Sequence, residues 1–239
     1  GGDPDFNTEH LDSLSSQISR FGSMVIKGDI VADDSYFDDV RLGPGWMWDD
    51  VQFDYSAQIS ALSINSNCIT IAAVPGEAPG SPVSVTFLPD TDYMTLENLS
   101  QTVSSDLPDS LRKSLRIVRN WREHDNTVRV TGHLPMDADT VRVVRTVEAP
   151  WLYAGTLLLE ALNDRNQVVL GTVRRGNTPD QAVKVAINRS EPLSSSVAYL
   201  LKESDNLASE LIVKTMGAER RGPPGSIRSG LQVSRSVLS

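Results

Sequence analysis

The sequence predicts an α+β protein with more than one domain. Near both ends of the chain, apolar residues recur at intervals of three and four, which indicates amphipathic helices. Between residues 69 and 147, apolar and polar residues alternate in short runs separated by Pro, Gly and Asp, which indicates strands. A chain of 239 residues can bury a sizeable core and suggests one or two domains before any motif is considered.

Composition excludes several classes of function. With 31 acidic and 22 basic residues, the net charge of -9 argues against a nucleic-acid partner. No run of apolar residues has the length of a membrane span, and the sequence begins Gly-Gly-Asp-Pro without an initiator Met or a signal pattern, so we expect a processed or excised product. The single cysteine, Cys68, is expected to be a buried structural thiol. No motif suggests a cofactor.

The first 68 residues predict a small α/β segment. Leu11, Leu14, Ile18 and Phe21 are spaced as on one face of a helix, with Thr8 as its cap and Gly22 as its stop. Met24–Val31 is expected to be a strand, so the pair would be the second half of a βαβ unit whose first strand lies before Gly1.

An acidic loop follows this strand. A calcium site is one interpretation, but the alternating Asx spacing and the terminal Glu of a calcium loop are missing, and a solvated loop is favoured. Its carboxylates are Asp33, Asp34, Asp38, Asp39, Asp49 and Asp50.

The period-two region predicts an antiparallel sheet with a basic outer face. An ordinary solvated face is the simpler interpretation of its arginines, and a surface that meets the carboxylates of a ligand or of an acidic partner is the alternative. The predicted strands are Ile69–Val74, Val83–Leu88, Leu115–Trp121, Thr127–Gly132 and Thr140–Val147, and the arginines are Arg116, Arg129, Arg142 and Arg145.

After the sheet, a mostly buried helix over 151–163 is predicted, with Pro150 in its first turn, and this helix could pack on either neighbouring segment. The strands Gln167–Val173 and Val183–Ile187 are expected to follow. A last helix should begin near Ile227. No internal repeat is evident.

The tripeptide Ser204-Asp205-Asn206 lies between two helical patterns, one ending near Leu201 and the other running from Leu207 to a stop at Gly217. It is therefore expected at a helix–helix corner. Polar residues there either cap the second helix or point into a cleft, and a cap is the commoner outcome.

The longer string from Leu193 to Gly217 resembles the second signature of the class C penicillin-binding proteins, which are D-alanyl-D-alanine carboxypeptidases and endopeptidases. Gly28–Phe37 and Gly43–Asp50 are similar to stretches of the region inserted in that family. The family also uses an SxxK nucleophile box and a KTG strand. In such enzymes the serine of the middle motif relays a proton and its asparagine holds the substrate amide, so the resemblance implies these roles for Ser204 and Asn206 only.

Two segments imitate the other motifs. Ser110–Lys113 fits SxxK but lies between predicted strands, and Lys214–Gly217 imitates KTG but follows the tripeptide too closely to be a separate strand. His10, His124 and His133 have no triad or metal-binding context, so no metal is predicted.

The resemblance implies an internal fragment of a penicillin-binding protein: an inserted α/β segment at 1–68, an inserted mainly antiparallel β segment at 69–189, and a helical part of the transpeptidase domain at 190–239. The expected function is part of a periplasmic serine peptidase of the bacterial envelope, acting on peptidoglycan stem peptides and, when complete, binding β-lactams. The fragment itself should be inactive. The alternative is a non-catalytic module that binds peptidoglycan or another protein.

Overall fold

The structure is a computed structural model that describes residues 1–23, 25–106, 108 and 114–238. The chain divides into two compact units. Unit one contains residues 1–50, 55–67 and 149–239, and unit two contains residues 51–54 and 68–148. The predicted helix over 151–163, whose packing the sequence left open, therefore lies in unit one. So do the rest of residues 149–189, which the sequence-based division had joined to the β segment.

Unit one begins with helix α1 (Thr8–Ser19). Its cap is Asn7, whose side chain accepts hydrogen bonds from the backbone N–H groups of Glu9 and His10, so the prediction that Thr8 is the cap was wrong by one residue. The helix ends before Gly22, as predicted, and this glycine has a φ of 92°.

Unit one contains two short pairs of parallel strands. Strand β1 (Val25–Ile26) pairs with β9 (Val168–Val169), and β2 (Ile30–Ala32) pairs with β10 (Val173–Arg175). A parallel partner for each strand of the first segment therefore comes from late in the chain.

A structural repeat explains this pairing. Val168 pairs with Val25 and Val173 with Ile30, so one shift of 143 positions relates both strand pairs. The same shift moves α1 to residues 151–162, within helix α2 (Pro150–Asn163). The same shift relates Gly28 to Gly171, and glycine is required at Gly171 because a Cβ there would lie 2.4 Å from the backbone oxygen of Gly28. Sequence inspection missed this repeat because few side chains are shared.

Three helices complete unit one: α3 (Leu193–Glu203), α4 (Asn206–Arg221) and α5 (Ile227–Leu238). The predicted stop at Gly217 was wrong, since α4 continues to Arg221. Gly217 serves packing instead, because its Cβ position lies 2.2 Å from the Ser229 hydroxyl on α5. Residues 183–187 form no strand: the backbone of Ile187 bonds to the side chain of Gln17 rather than to another strand.

Unit two contains two three-stranded sheets. The first has the order β4–β3–β8, with both pairings antiparallel, and its strands are β3 (Cys68–Val74), β4 (Ser84–Leu88) and β8 (Val141–Thr146). The second has the order β5–β7–β6, and its strands are β5 (Thr95–Val103), β6 (Arg116–Arg119) and β7 (Thr127–Pro135).

All five predicted strands of this region are present, but the sequence missed β5 because its Glu, Asn, Ser and Gln residues hide the period-two pattern. The pairing of β5 with β7 is parallel, whereas the other three pairings are antiparallel, as predicted. Cys68 is buried at the start of β3, as expected.

Two of the four arginines on the predicted basic face of unit two form local contacts. Arg129 forms an ion pair with Glu97, its register partner on β5, at 2.7 Å. Arg145 donates to the backbone oxygen of Ile117 and stacks over Phe53. A further arginine, Arg119, is 1% exposed, and its burial was not predicted.

Candidate functional site at the corner of two helices

The tripeptide 204–206 lies at the corner between α3 and α4, as predicted. Ser204 ends α3 in the left-handed conformation, with φ 58° and ψ 41°, and its backbone N–H donates to the oxygen of Leu200. Asn206 is the first residue of α4. The left-handed residue turns the chain sharply enough for the second helix to begin two residues later.

The capping role at this corner belongs to Asp205. Its carboxylate accepts a hydrogen bond from the backbone N–H of Ala208 at 2.8 Å, and its backbone oxygen accepts one from the Ser209 hydroxyl. Capping of α4 therefore does not require the side chain of Ser204 or Asn206. The cap favoured by the sequence is present on Asp205, and the placement of Ser204 and Asn206 in a cleft stays a prediction.

Ser204 and Asn206 are both exposed. Within the part of the chain that the structure describes, the Ser204 hydroxyl forms no hydrogen bond. A hydroxyl can donate one hydrogen bond and accept two, so this group is available to a ligand. The catalytic roles of the two residues stay a prediction.

The Asn206 side chain connects the corner to a preceding loop of unit one. Its Nδ2 donates to the backbone oxygen of Tyr55 at 2.8 Å. The Tyr55 side chain is 50% exposed, and its hydroxyl donates to Asp50 at 3.0 Å. Sequence reasoning did not select Tyr55, because no local pattern places a residue 151 positions away next to Asn206.

Acidic groups dominate the electrostatics at the corner. Burial raises the pKa of Tyr199, on the last turns of α3, and the negative charges of Asp205 and Glu203 raise it further. Lys202 is 84% exposed and lies 3.8 Å from Glu203. Its ammonium group therefore pairs weakly with a carboxylate and is not held on the Ser204 hydroxyl.

The other nearby lysine, Lys214, is fully buried on α4. Its Nζ donates to Asp38 at 2.5 Å and to the backbone oxygen of Val40 at 2.6 Å. These bonds engage the ammonium group in the acidic loop, so it is not a base for Ser204. The imitation of KTG at 214–217 lies inside a helix.

The acidic loop is held by basic side chains and backbone N–H groups. Arg175 binds Asp34 with two nitrogens and also pairs with Asp39, and these carboxylates raise the pKa of the arginine. Asp33 accepts from the backbone N–H of Thr178. Among the residues that the structure describes, no group of three or more His, Cys, Asp or Glu side chains could hold a metal ion.

The remaining sequence candidates lie elsewhere. Ser110–Lys113, the formal SxxK match, falls outside the described residues. His10 completes the capping box of α1, and His133 bonds to Ser114 at 3.1 Å. A groove of about 1080 Å³ runs between α4, α5 and the first four residues, but neither Ser204 nor Asn206 lines it. None of the described helices is both long and apolar enough to cross a membrane.

Comparison with known proteins decides the family. The family model described as "D-Ala-D-Ala carboxypeptidase 3 (S13) family" matches residues 1–239. The chain belongs to this S13 family. The match spans both units and the helical corner, so the resemblance inferred from residues 193–217 holds over the whole sequence.

Individual relatives within the S13 family agree. The chain is 33% identical, over its whole length, to a D-alanyl-D-alanine carboxypeptidase of Actinomadura sp. (strain R39), and it covers 44% of that protein. It is 24% identical to the D-alanyl-D-alanine carboxypeptidase DacB of Haemophilus influenzae and covers 48% of it. The chain thus spans about half the length of the curated relatives it matches.

A solved S13 structure shares the fold. The crystal structure of penicillin binding protein 4 (dacB) from Haemophilus influenzae superimposes with a TM-score of 0.79 at 23% identity, over 99% of this chain and 51% of that one. A second crystal structure of that protein, complexed with a novel β-lactam, gives a TM-score of 0.66 at 20% identity.

Proposed function

We propose that these 239 residues are part of a serine-type D-Ala-D-Ala carboxypeptidase or endopeptidase that hydrolyses peptidoglycan stem peptides in the bacterial periplasm or cell envelope. The family match over the whole chain supports the reaction class. The finer assignment of α3–α5 to a penicillin-binding transpeptidase domain belongs to the same proposal.

The observation that carries the proposal is that Ser204 is exposed, with no hydrogen bond to its hydroxyl from any described residue, two positions before the anchored amide of Asn206. In the proposed reaction a serine nucleophile gives its proton to a base and attacks the substrate carbonyl, which forms an acyl-enzyme. Ser204 relays that proton to the nitrogen of the terminal D-Ala as the C–N bond breaks, and water then hydrolyses the acyl-enzyme. Asn206 orients the substrate amide, and its link to Tyr55 limits the rotation of its own side chain.

Ser204 itself is not the nucleophile in this proposal. A nucleophilic serine needs a base within hydrogen-bond reach, and Lys214 is instead bound to Asp38 and Val40. Lys202 is exposed next to Glu203. We therefore expect the 239-residue chain by itself to form no covalent adduct with a penicillin and to release no D-Ala.

Labelling with a fluorescent penicillin, followed by a denaturing gel, tests both statements. The 239-residue chain should give no labelled band, whereas a longer polypeptide that contains these residues and an SxxK box should be labelled. In the longer polypeptide, Ser204→Ala should lower the rate of D-Ala release by about 10²–10⁴-fold, the usual effect of losing a positioned proton-transfer group. Ser195→Ala, at an exposed position on α3, is the matched control and should leave the rate unchanged.

Two results would contradict the proposal. The first is a labelled band at the mass of the 239-residue chain that disappears on Ser204→Ala or Ser110→Ala, which would make the chain an enzyme in its own right. The second is a longer polypeptide whose Ser204→Ala variant releases D-Ala as fast as its Ser195→Ala control.

A further inference from the structure

The segment of residues 183–187 has the side-chain pattern of a strand without the pairing of one. Its sequence, Val-Lys-Val-Ala-Ile, alternates β-branched apolar residues with a charged and a small one. It runs without a helical turn or a bend. The side chains of Val183, Val185 and Ile187 are 83%, 54% and 46% exposed. Three large apolar side chains at alternate positions are therefore left in water on one side of the segment.

One edge of this segment lies against helix α1. The Ile187 N–H donates to the side-chain oxygen of Gln17 at 3.1 Å, and the Gln17 side-chain nitrogen donates to the Ile187 oxygen at 3.1 Å. In an extended chain, the N–H and C=O groups of successive residues point to opposite edges. The backbone groups of the odd-numbered residues therefore face α1, and those of Lys184 and Ala186 face the other edge.

The other edge of the segment is open. Within the described part of the chain, no group bonds to the backbone N–H or C=O of Lys184 or Ala186. Unpaired backbone groups along an edge are a template for a strand from another chain. Native proteins protect such edges with proline, bulges or charged side chains, and Lys184 is the one charge in this segment. Its effect depends on the residue that a second strand would place opposite it.

The segment is complementary to a second copy of itself. In an antiparallel pairing across a two-fold axis at Val185, Val183 lies opposite Ile187 of the second copy, and Val185 lies opposite its own equivalent. Lys184 then lies opposite Ala186 of the second copy, so no lysine faces a lysine. Apolar side chains directly opposite each other stabilise a pair of strands, whereas like charges destabilise it. Both requirements are met by one register.

We propose that residues 183–187 are an interaction surface through which two copies of this chain pair as antiparallel strands, with Val185 on the two-fold axis. Lys184 and Ala186 each exchange two backbone hydrogen bonds with the residue opposite, and Val185 occupies a non-hydrogen-bonded position, where facing side chains are closest. The contact uses the same surface on both copies, as a two-fold dimer requires. It does not rest on the proposed function.

Sedimentation equilibrium of the 239-residue chain tests the pairing. An interface below about 1,200 Å² is typical of transient pairs, so half of the chain should be dimeric at a concentration between about 1 µM and 1 mM. Val185→Lys places two like charges opposite each other and should raise the dissociation constant by about tenfold or more. The matched control is Val168→Lys, the same change at a 49% exposed residue on β9, and it should leave the dissociation constant unchanged.

A mixture of two variants separates pairing at Val185 from damage to the fold. Val185→Glu alone should weaken the dimer as Val185→Lys does, because two carboxylates then face each other. An equimolar mixture of the two variants should dimerise again, with one copy of each, since a lysine then lies opposite a glutamate. Loss of folded structure in either variant would not be reversed by mixing.

Hydrogen exchange locates the contact on the segment. As the concentration of the unmodified chain rises, the amides of Lys184 and Ala186 should exchange more slowly, because they are bonded in the dimer, while the amide of Val185 should not change. A chain that stays monomeric at about 1 mM would overturn the inference. So would a dimer that Val185→Lys leaves intact, or a mixture that stays monomeric. If the amides of Lys184 and Ala186 are equally protected at every concentration, a segment of the same chain covers this edge and the inference is wrong.

Discussion

Arg119 offers the sharpest test of how unit two is stabilised. Its guanidinium donates to the backbone oxygens of Asp125 and Val51, at 2.9 and 3.1 Å, and lies 3.5 Å from the carboxylate of Glu148. Burial lowers the pKa of Arg119, and the charge of Glu148 opposes this shift. Replacement by Met would keep the apolar stem but would remove both of these hydrogen bonds and the positive charge that faces Glu148. We therefore expect Arg119→Met to lower the free energy of unfolding by about 3–5 kcal/mol.

Arg129→Met is the matched control for this change. Arg129 lies on β7, directly adjacent to β6, but its side chain is 61% exposed and its pair with Glu97 is solvated. Its replacement should cost about 0–1 kcal/mol.

Native-state hydrogen exchange of the β6 and β7 amides measures both variants within unit two alone. A difference of about 3 kcal/mol corresponds to roughly a hundredfold faster exchange in Arg119→Met than in Arg129→Met. Equal exchange rates in the two variants would refute the assignment of stability to the buried guanidinium.

Three further predictions concern unit one. Gly217→Ala should lower the free energy of unfolding by about 1–2 kcal/mol in thermal unfolding, because the added Cβ would overlap the Ser229 hydroxyl on α5. This cost should exceed the gain from the higher helix propensity of Ala. A gain in stability would show that α5 shifts to make room for the Cβ. Burial would raise the pKa of Asp33, but hydrogen bonds from Ser35 and Thr178 outweigh it and lower the value to about 2. The ionised carboxylate therefore stabilises the fold above about pH 4, and on the order of 1–2 kcal/mol of the free energy of unfolding should be lost as the pH falls from 4 to 2. In Asp33→Asn this loss between pH 4 and pH 2 should be absent. The same loss in the variant as in the unmodified chain would contradict the assignment. Asn67→Ala should cost about 2–3 kcal/mol in urea unfolding, because its buried amide bonds to Gln58, Ser63 and Ile64, and a cost below about 0.5 kcal/mol would mean that water replaces those bonds.

Local patterns in the sequence were enough for most helices and strands. Pro150 begins α2 and Gly22 follows α1 because the backbone preferences of these residues act within one turn. The five predicted strands of unit two follow from alternation over a few residues. The corner at 204–206 was predicted for the same reason, since the helical periodicities on its two sides are independent of the rest of the chain.

Contacts between distant parts of the chain were decided only by the tertiary structure. The parallel pairing of β1 with β9 joins segments 143 residues apart, and neither segment carries a local sign of its partner. The continuation of α4 through Gly217 depends on the close approach of α5. Residues 183–187 have the sequence pattern of a strand, but they pair with no strand of the described residues. A strand requires a neighbouring strand to bond with, so the pattern alone was not enough.

The same distinction separates the two parts of the candidate site. Ser204 and Asn206 could be selected from the sequence because a local string resembles a family signature, and the sequence by itself determined the family. The contacts of α4 with earlier loops could not be selected, because Lys214 meets Asp38, and Asn206 meets Tyr55, only when the helix packs in the folded unit. Burial of a charged side chain depends on the whole fold, so Lys214 and Arg119, which a sequence presents as ordinary solvated charges, are revealed as buried anchors only by the tertiary structure.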